Sequence, residues 1–205
     1  MGMGVSEDSW DIKKSVIEHY DRLAGIYDSL YGEEQKAKIK VIFKIMNAEV
    51  GGLVLDIGCG TGLLMEYLAA ESECLVGVDL SIESLKKAIK RSRRLGAEHT
   101  VSLIRADAEN LPFRSEIFDR VFALTLLQNI PSPRRVLMEI VRVAKDGSQV
   151  AVTGLRKYFT AGEFHRLVSI FRECKFSSED HDFVAILKVN KQRINIGLEK
   201  NRIGG

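Results

Sequence analysis

Val54-Leu55-Asp56-Ile57-Gly58-Cys59-Gly60-Thr61-Gly62 is the stretch that decides the fold. Val54, Leu55 and Ile57 continue an apolar run from Leu53, the pattern of a strand covered on both faces in a parallel sheet. Three glycines at alternate positions then allow a sharp turn and a close approach of backbone to ligand. A helix is expected from Leu63 to about Glu71, its first N–H groups pointing into a pocket and favouring a carboxylate or phosphate. The spacing is G-x-G-x-G, with Asp56 two residues before the first glycine, and it departs from the G-x-G-x-x-G of dinucleotide sites. A strand-to-helix turn with no ligand is the bland alternative.

Outward from this bend, strand and helix signals alternate. Strands are read at Leu53–Asp56, Leu75–Asp79, Val101–Arg105, Phe118–Leu124, Gln149–Thr153 and Phe183–Val189. Helices are read at about Leu63–Ala70, Ile82–Leu95, Pro133–Val143 and Ala161–Glu173, and Lys145-Asp146-Gly147 reads as the turn before the fifth strand. The fold class is therefore α/β, a doubly wound sheet of mostly parallel strands with helices on both faces. Two further strands end in acids. Asp79 closes the run from Leu75 and is followed by Ser81 as a helix N-cap, and a carboxylate there can bridge the paired hydroxyls of a ribose. Asp107 follows the strand from Val101 within Arg105-Ala106-Asp107-Ala108-Glu109-Asn110-Leu111-Pro112-Phe113, where a solvated loop acid is the alternative.

Together these segments resemble the first three motifs of class I S-adenosylmethionine-dependent methyltransferases. The resemblance implies that S-adenosylmethionine, and S-adenosylhomocysteine after reaction, is held by Asp56, Gly58, Cys59, Gly60, Gly62 and Asp79. It places Asp107 at the adenine amino group, Ala108 at the ring nitrogen, and Leu80, Glu109 and Leu124 beside them. Upstream, His19-Tyr20-Asp21-Arg22-Leu23-Ala24-Gly25-Ile26-Tyr27-Asp28 is similar to the Y-D-x-x-A-x-x-Y-D segment of the ubiquinone and menaquinone methyltransferase-like branch. There the segment lies over the cofactor, so Tyr27, and with it Tyr31, would cover a sulfonium that an aromatic face attracts. Tyr20, Leu23, Ile26, Tyr27 and Leu30 also suit the apolar stripe of one amphipathic helix. The resemblance adds an antiparallel strand near the C-terminus, although residues 176–182 leave little room for a hairpin.

The acceptor is less legible. The fourth strand ends in Leu124-Thr125-Leu126-Leu127-Gln128-Asn129-Ile130-Pro131, without the Asn or Asp-Pro-Pro-Tyr that holds exocyclic amines in some relatives. Thr125, Gln128 and Asn129 are the acceptor-side candidates, with loop capping as their alternative use. No general base is identified: His99 and His165 lie far from the strand ends, and His19 lies in the covering helix. Only Gly154 to Phe159 separates the fifth strand from the next helix. That short connection suggests an open site, hence an RNA or protein acceptor ahead of a quinone-like or other small molecule. The expected edge strand Val101–Arg105 offers unpaired backbone to a small zinc-ribbon activator protein of the kind some relatives use. A non-catalytic cofactor-binding subunit and a nicotinamide oxidoreductase are the competing classes.

The 205 residues suit one domain. The expected organisation is a flexible N-terminus (1–10), a methyltransferase domain (11–190) whose residues 11–45 form a helical cover, and a flexible basic tail (191–205). A composition that is 45% hydrophobic and 28% charged, with net charge +2, is that of a soluble domain rather than an announced nucleic-acid binder. No run approaches the roughly 20 apolar residues of a membrane span. Cys59, Cys74 and Cys174 have neither zinc-site nor disulfide spacing, so no metal is expected and the chain is placed in the cytoplasm. The bases from Lys86 to Arg94 read as the solvated faces of a helix.

Overall fold

The computed structural model describes residues 7–46, 51–171, 173–178 and 181–192. Two helices come first, α1 (Glu7–Leu23) and α2 (Tyr27–Met46), followed by seven strands with four helices among them. The strands are β1 (Leu53–Ile57), β2 (Cys74–Asp79), β3 (Val101–Arg105), β4 (Phe118–Ala123), β5 (Ala144–Leu155), β6 (Glu173–Ser178) and β7 (Asp182–Lys188). The helices are α3 (Met65–Leu68), α4 (Ile82–Arg94), α5 (Pro133–Val143) and α6 (Ala161–Val168).

All seven strands form one sheet in the order β3-β2-β1-β4-β5-β7-β6. β1 to β5 pair in parallel, and β7 runs antiparallel to both β5 and β6. Because side chains alternate along a strand, the sheet carries an apolar layer on each face. Leu55, Ile57, Val121 and Val150 pack with Leu137 and Ile140 of α5 and Phe164 of α6. Val54, Phe122 and Val184 pack on the other side with Ile39 and Ile42 of α2 and with Leu68 and Ala88. The parallel strands therefore end together beside the glycine bend, with the order reversing between β1 and β4, where ligands of doubly wound sheets bind.

The structure departs from the sequence reading in five places. The helix after the glycines is the single turn Met65–Leu68, too short to carry a helix dipole, so the expected anion site at its N-terminus is withdrawn. α6 stops at Val168, and Glu173–Ser178 forms β6, so a hairpin does precede the C-terminus. The covering segment is two helices with a turn at residues 24–26, and α1 already begins at Glu7, inside the segment expected to be flexible. Lys145-Asp146-Gly147 lies within β5, where Gly147 (φ +78°) donates its N–H to Val189 O at 2.8 Å. The expected strand ends shift by one residue at several edges. The expectations for residues 1–6 and 193–205 lie outside the described residues.

Candidate active site

The bend after β1 is built from left-handed backbone: φ is +72° at Gly58, +53° at Gly60 and +82° at Gly62. Gly58 and Cys59 donate their N–H groups to Val78 O at 2.8 and 3.0 Å, fastening the bend to β2. Asp79 then accepts from Gly60 N at 2.9 Å through Oδ2 and from Ser81 N at 2.8 Å through Oδ1. One carboxylate thus joins the glycine bend to the start of α4, and each of its oxygens keeps a further lone pair. Burial pushes its pKa up, against the lowering effect of those backbone donors.

Two of the glycines serve different ends. A Cβ at Gly62 would lie 2.7 Å from Met65 Cε and 3.3 Å from Ala88 Cβ, so this glycine makes room for packing. A Cβ at Gly60 would meet nothing within 4 Å, and it would project where the backbone lines a crevice. Asp56 and Cys59 line a small pocket of their own, which shares Gly58, Gly60 and Leu124 with that crevice. It is 4% exposed, and its carboxylate has no hydrogen-bond partner among the described residues. Burial first, and then the neighbouring Asp79, raise its pKa to about 7. The same burial holds Cys59 as an unreactive thiol.

The cover is tied down by the two acids of the Tyr-Asp repeat. Asp21 accepts from Ser81 Oγ at 2.5 Å and from Glu83 N at 3.2 Å, at the first turn of α4. Asp28 accepts from Thr61 Oγ1 in the glycine bend at 2.6 Å and pairs with Arg91 of α4, which also holds Glu66 at 2.9 Å. Tyr27 is thereby set against the crevice, its ring centroid 6.1 Å from Tyr20 and 5.2 Å from Tyr31. Burial raises the pKa of Tyr20 and Tyr27, so both phenols stay neutral.

Leu80, Ala108 and Leu124 line the crevice as the sequence suggests, whereas Asp107 and Glu109 do not. Lys13 of α1 donates to Asp107 Oδ2 at 2.6 Å and pairs with buried Glu109, and Asp107 Oδ1 accepts from Glu109 N at 2.9 Å. Of the three strand-end acids, Asp56 and Asp79 therefore converge, while Asp107 is engaged by the cover. Sequence reasoning misses Lys13 because a lysine among Trp10, Ile12, Val16 and Ile17 reads as the polar face of an amphipathic helix.

A second cavity of about 530 Å³ lies between the cover and the ends of β4 and β5. Tyr20, Tyr27, Thr125 and Asn129 line both it and the crevice, and Gln128 lines it alone. Thr125 holds φ +54°, a costly conformation for a branched residue, and three bonds keep it there. Its N–H donates to Thr153 Oγ1 at 2.8 Å, while its Oγ1 accepts from Lys38 Nζ at 2.7 Å and donates to Gln35 Oε1 at 3.1 Å. Lys38, 4% exposed, is neutralised by Asp182 at 2.8 Å. The sequence signal for Lys38 and Gln35 is their place on the Gln35, Lys38, Ile39, Ile42 stripe of α2, which an apolar-only reading passes over. His19 and His181 also line this cavity; His99 and His165 do not.

The family description "Methyltransferase domain" matches residues 55–152, from the glycine bend through β5. The chain belongs to the class I S-adenosylmethionine-dependent methyltransferases. It is 35% identical to a phosphatidylethanolamine N-methyltransferase of Cereibacter sphaeroides over 67% of this chain and 66% of that one. It is 31% identical to a demethylmenaquinone methyltransferase of Lactobacillus johnsonii over 71% of this chain and 60% of that one. The chain thus spans less than two thirds of these curated relatives. Two solved structures share the fold. The DhpI–SAH complex has a TM-score of 0.73 at 17% identity, covering 87% of this chain and 97% of that one. A methyltransferase complexed with the Haloferax volcanii Trm112 methyltransferase activator has a TM-score of 0.69 at 16% identity, covering 83% and 97%.

The crevice residues of this methyltransferase domain suit the family's cofactor. Asp79 has spare lone pairs for a diol, Gly60 leaves its cradle open, and Asp56 is a buried carboxylate whose missing partner an ammonium supplies.

Proposed function

We propose that this chain methylates a small molecule seated in the 530 Å³ cavity, with S-adenosylmethionine held in the adjoining crevice. The observation that carries the reading is the shared wall: Tyr20, Tyr27, Thr125 and Asn129 face both spaces. When bound, the cofactor supplies an electrophilic methyl carbon. Asp79 is assigned to its ribose, Gly58 and Gly60 to the close backbone approach, Asp56 to its ammonium, and Leu80, Ala108 and Leu124 to the adenosyl walls. Asp107 takes the adenine amino group in this scheme once Lys13 releases it. Tyr27 shields the space between the two ligands from water, and Thr125 and Asn129 orient the acceptor. No acid-base step is obligatory, since holding the reacting atoms in line does most of the catalysis.

The open-site argument for an RNA or protein acceptor loses its basis, because the cavity is roofed by α1 and α2 and walled by residues 155–158. The relatives named above for a phospholipid and a quinone precursor point the same way. As a second element we propose β3 as the docking edge for a small activator protein. It is the outer strand, with Val101, Leu103 and Ile104 only half-buried. No helix among the described residues is long and apolar enough to cross a membrane. Cytoplasmic residence is part of the proposal, in keeping with three unpaired cysteines.

Calorimetry with S-adenosylmethionine and with NAD tests the cofactor; binding of NAD alone overturns the proposal. Labelled cofactor incubated with fractionated small molecules, RNA and protein tests the acceptor. Label recovered in RNA or protein defeats the small-molecule reading.

A further inference from the structure

The polar inventory of the 530 Å³ cavity narrows its ligand. At the inner end, Gln128 Nε2 donates to Thr125 O at 2.6 Å, which fixes the amide orientation, and Gln128 Oε1 is buried with no hydrogen-bond partner. Asn129 Nδ2 is consumed by Tyr20 Oη at 2.8 Å and Thr125 O at 3.2 Å. Thr125 Oγ1 has given its proton to Gln35 and keeps lone-pair capacity beside the bond from Lys38. Gln128 Oε1 lies beneath the cavity wall rather than on it, so the unfilled position that a ligand can address is the lone-pair capacity of Thr125, an acceptor that selects an N–H or O–H.

The rings select charge. Tyr20, Tyr27 and Tyr31 line the cavity in sequence, adjacent rings tilted by 48° and 51°, and Tyr158 stands across the opening. Tilted neutral rings around a polar space present their negative faces to a cation. Glu34 adds a carboxylate on the face of α2 that carries Tyr27 and Tyr31. The nearest buried cation, Lys38, is matched by Asp182 at 2.8 Å and by Glu34 at 3.9 Å, and it does not line the cavity. The opening has the opposite sign, flanked by Arg156, Lys157 and His181.

We infer that the cavity takes a small aliphatic amine, its nitrogen among the tyrosines, Glu34 and Thr125 and an anionic group at its other end beside Lys157. The inference rests on the methyltransferase reading and gives its acceptor a chemical class: the bound ammonium gives up one proton to water in the open cavity, and the lone pair so freed would take the methyl group while the sulfur leaves as the neutral thioether. Neutral alcohols of the same shape satisfy Thr125 but forgo the rings and Glu34, so they bind less well.

The test is calorimetry on the whole chain. S-adenosylhomocysteine is titrated first, and then, onto the saturated protein, 4-aminobutyrate against 4-hydroxybutyrate and phosphoethanolamine against 2-hydroxyethyl phosphate. The two pairs separate a carboxylate from a phosphate at the opening. At least one amine is expected to bind tenfold or more tighter than its hydroxyl partner. Tyr31→Leu, measured on protein saturated with S-adenosylhomocysteine, should reduce that preference at least fivefold. Lys157→Glu should weaken both members of a pair equally. Hydroxyl analogues binding as well as the amines, or no amine binding to protein that holds S-adenosylhomocysteine, overturns the inference and leaves the cofactor reading intact. Failure of S-adenosylhomocysteine itself to bind removes both.

Discussion

Replacing Asp56 by Asn should make the protein more stable at alkaline pH. The carboxyl is buried at the end of β1, and its pKa rises from 3.8 to about 7, through burial first and Asp79 second. An acid whose folded-state pKa lies above its unfolded value lets the folded chain hold the proton that the unfolded chain has lost. Its effect on stability is therefore absent below about pH 4, grows as a penalty between about pH 4 and 7, and is complete above that. A shift of about 3 units, at about 1.4 kcal/mol each, makes the penalty about 4 kcal/mol. Urea unfolding of wild type and Asp56→Asn from pH 4 to 8.5 reads it directly. The two curves should coincide at the acid end, and the variant should gain up to about 4 kcal/mol at the alkaline end. The same variant should bind S-adenosylhomocysteine about tenfold more weakly at pH 8, the loss of one charge-assisted bond. A stability difference that stays constant across the range refutes the assignment of a buried, partnerless carboxyl.

Four further outcomes follow from the same geometry. Gly60→Ala should cost about 1–2 kcal/mol for its left-handed backbone, yet it should abolish S-adenosylhomocysteine binding by filling the cradle. Gly62→Ala should cost more, by about 1–3 kcal/mol of crowding against Met65 and Ala88, with binding retained in the folded fraction; thermal unfolding and calorimetry separate the two. Arg91→Met removes the ties from α4 to Asp28 and Glu66, and because Asp28 is 46% exposed the loss should be only about 1–3 kcal/mol. Limited proteolysis should then cut within α1 and α2 first. Lys38→Met strands Asp182 beneath the acceptor cavity and should cost about 3–5 kcal/mol in urea unfolding, of which Lys38→Met with Asp182→Asn recovers more than half.

The central sheet was legible because strands covered on both faces are written as apolar runs, and the glycine bend and Asp79 stand at fixed offsets from them. β6 was not, because its side chains are exposed except for half-buried Ser177, and no alternation marks a strand whose pairing comes from β7 alone. The helix after the glycines was overextended because Leu63 and Leu64 are buried in the loop itself, where their apolar character mimics a helical start. Asp56, Asp79 and Thr125, singled out from the sequence, line the described cavities. The engagement of Asp107 by Lys13 was not legible, since it joins residues 94 positions apart and no local pattern carries it. The 530 Å³ cavity depends on such distant meetings throughout, of α1 and α2 with the segments after β4 and β5.

The two carboxylates of the Tyr-Asp repeat hold α1 and α2 against α4 and the glycine bend, and Tyr27 faces all the described cavities. Ligand capture should then be gated. In rapid mixing the observed rate should climb with concentration and level off at the frequency with which the two clamps part. That plateau should rise with ionic strength, because salt loosens the Asp28–Arg91 tether more than it alters the filled complex.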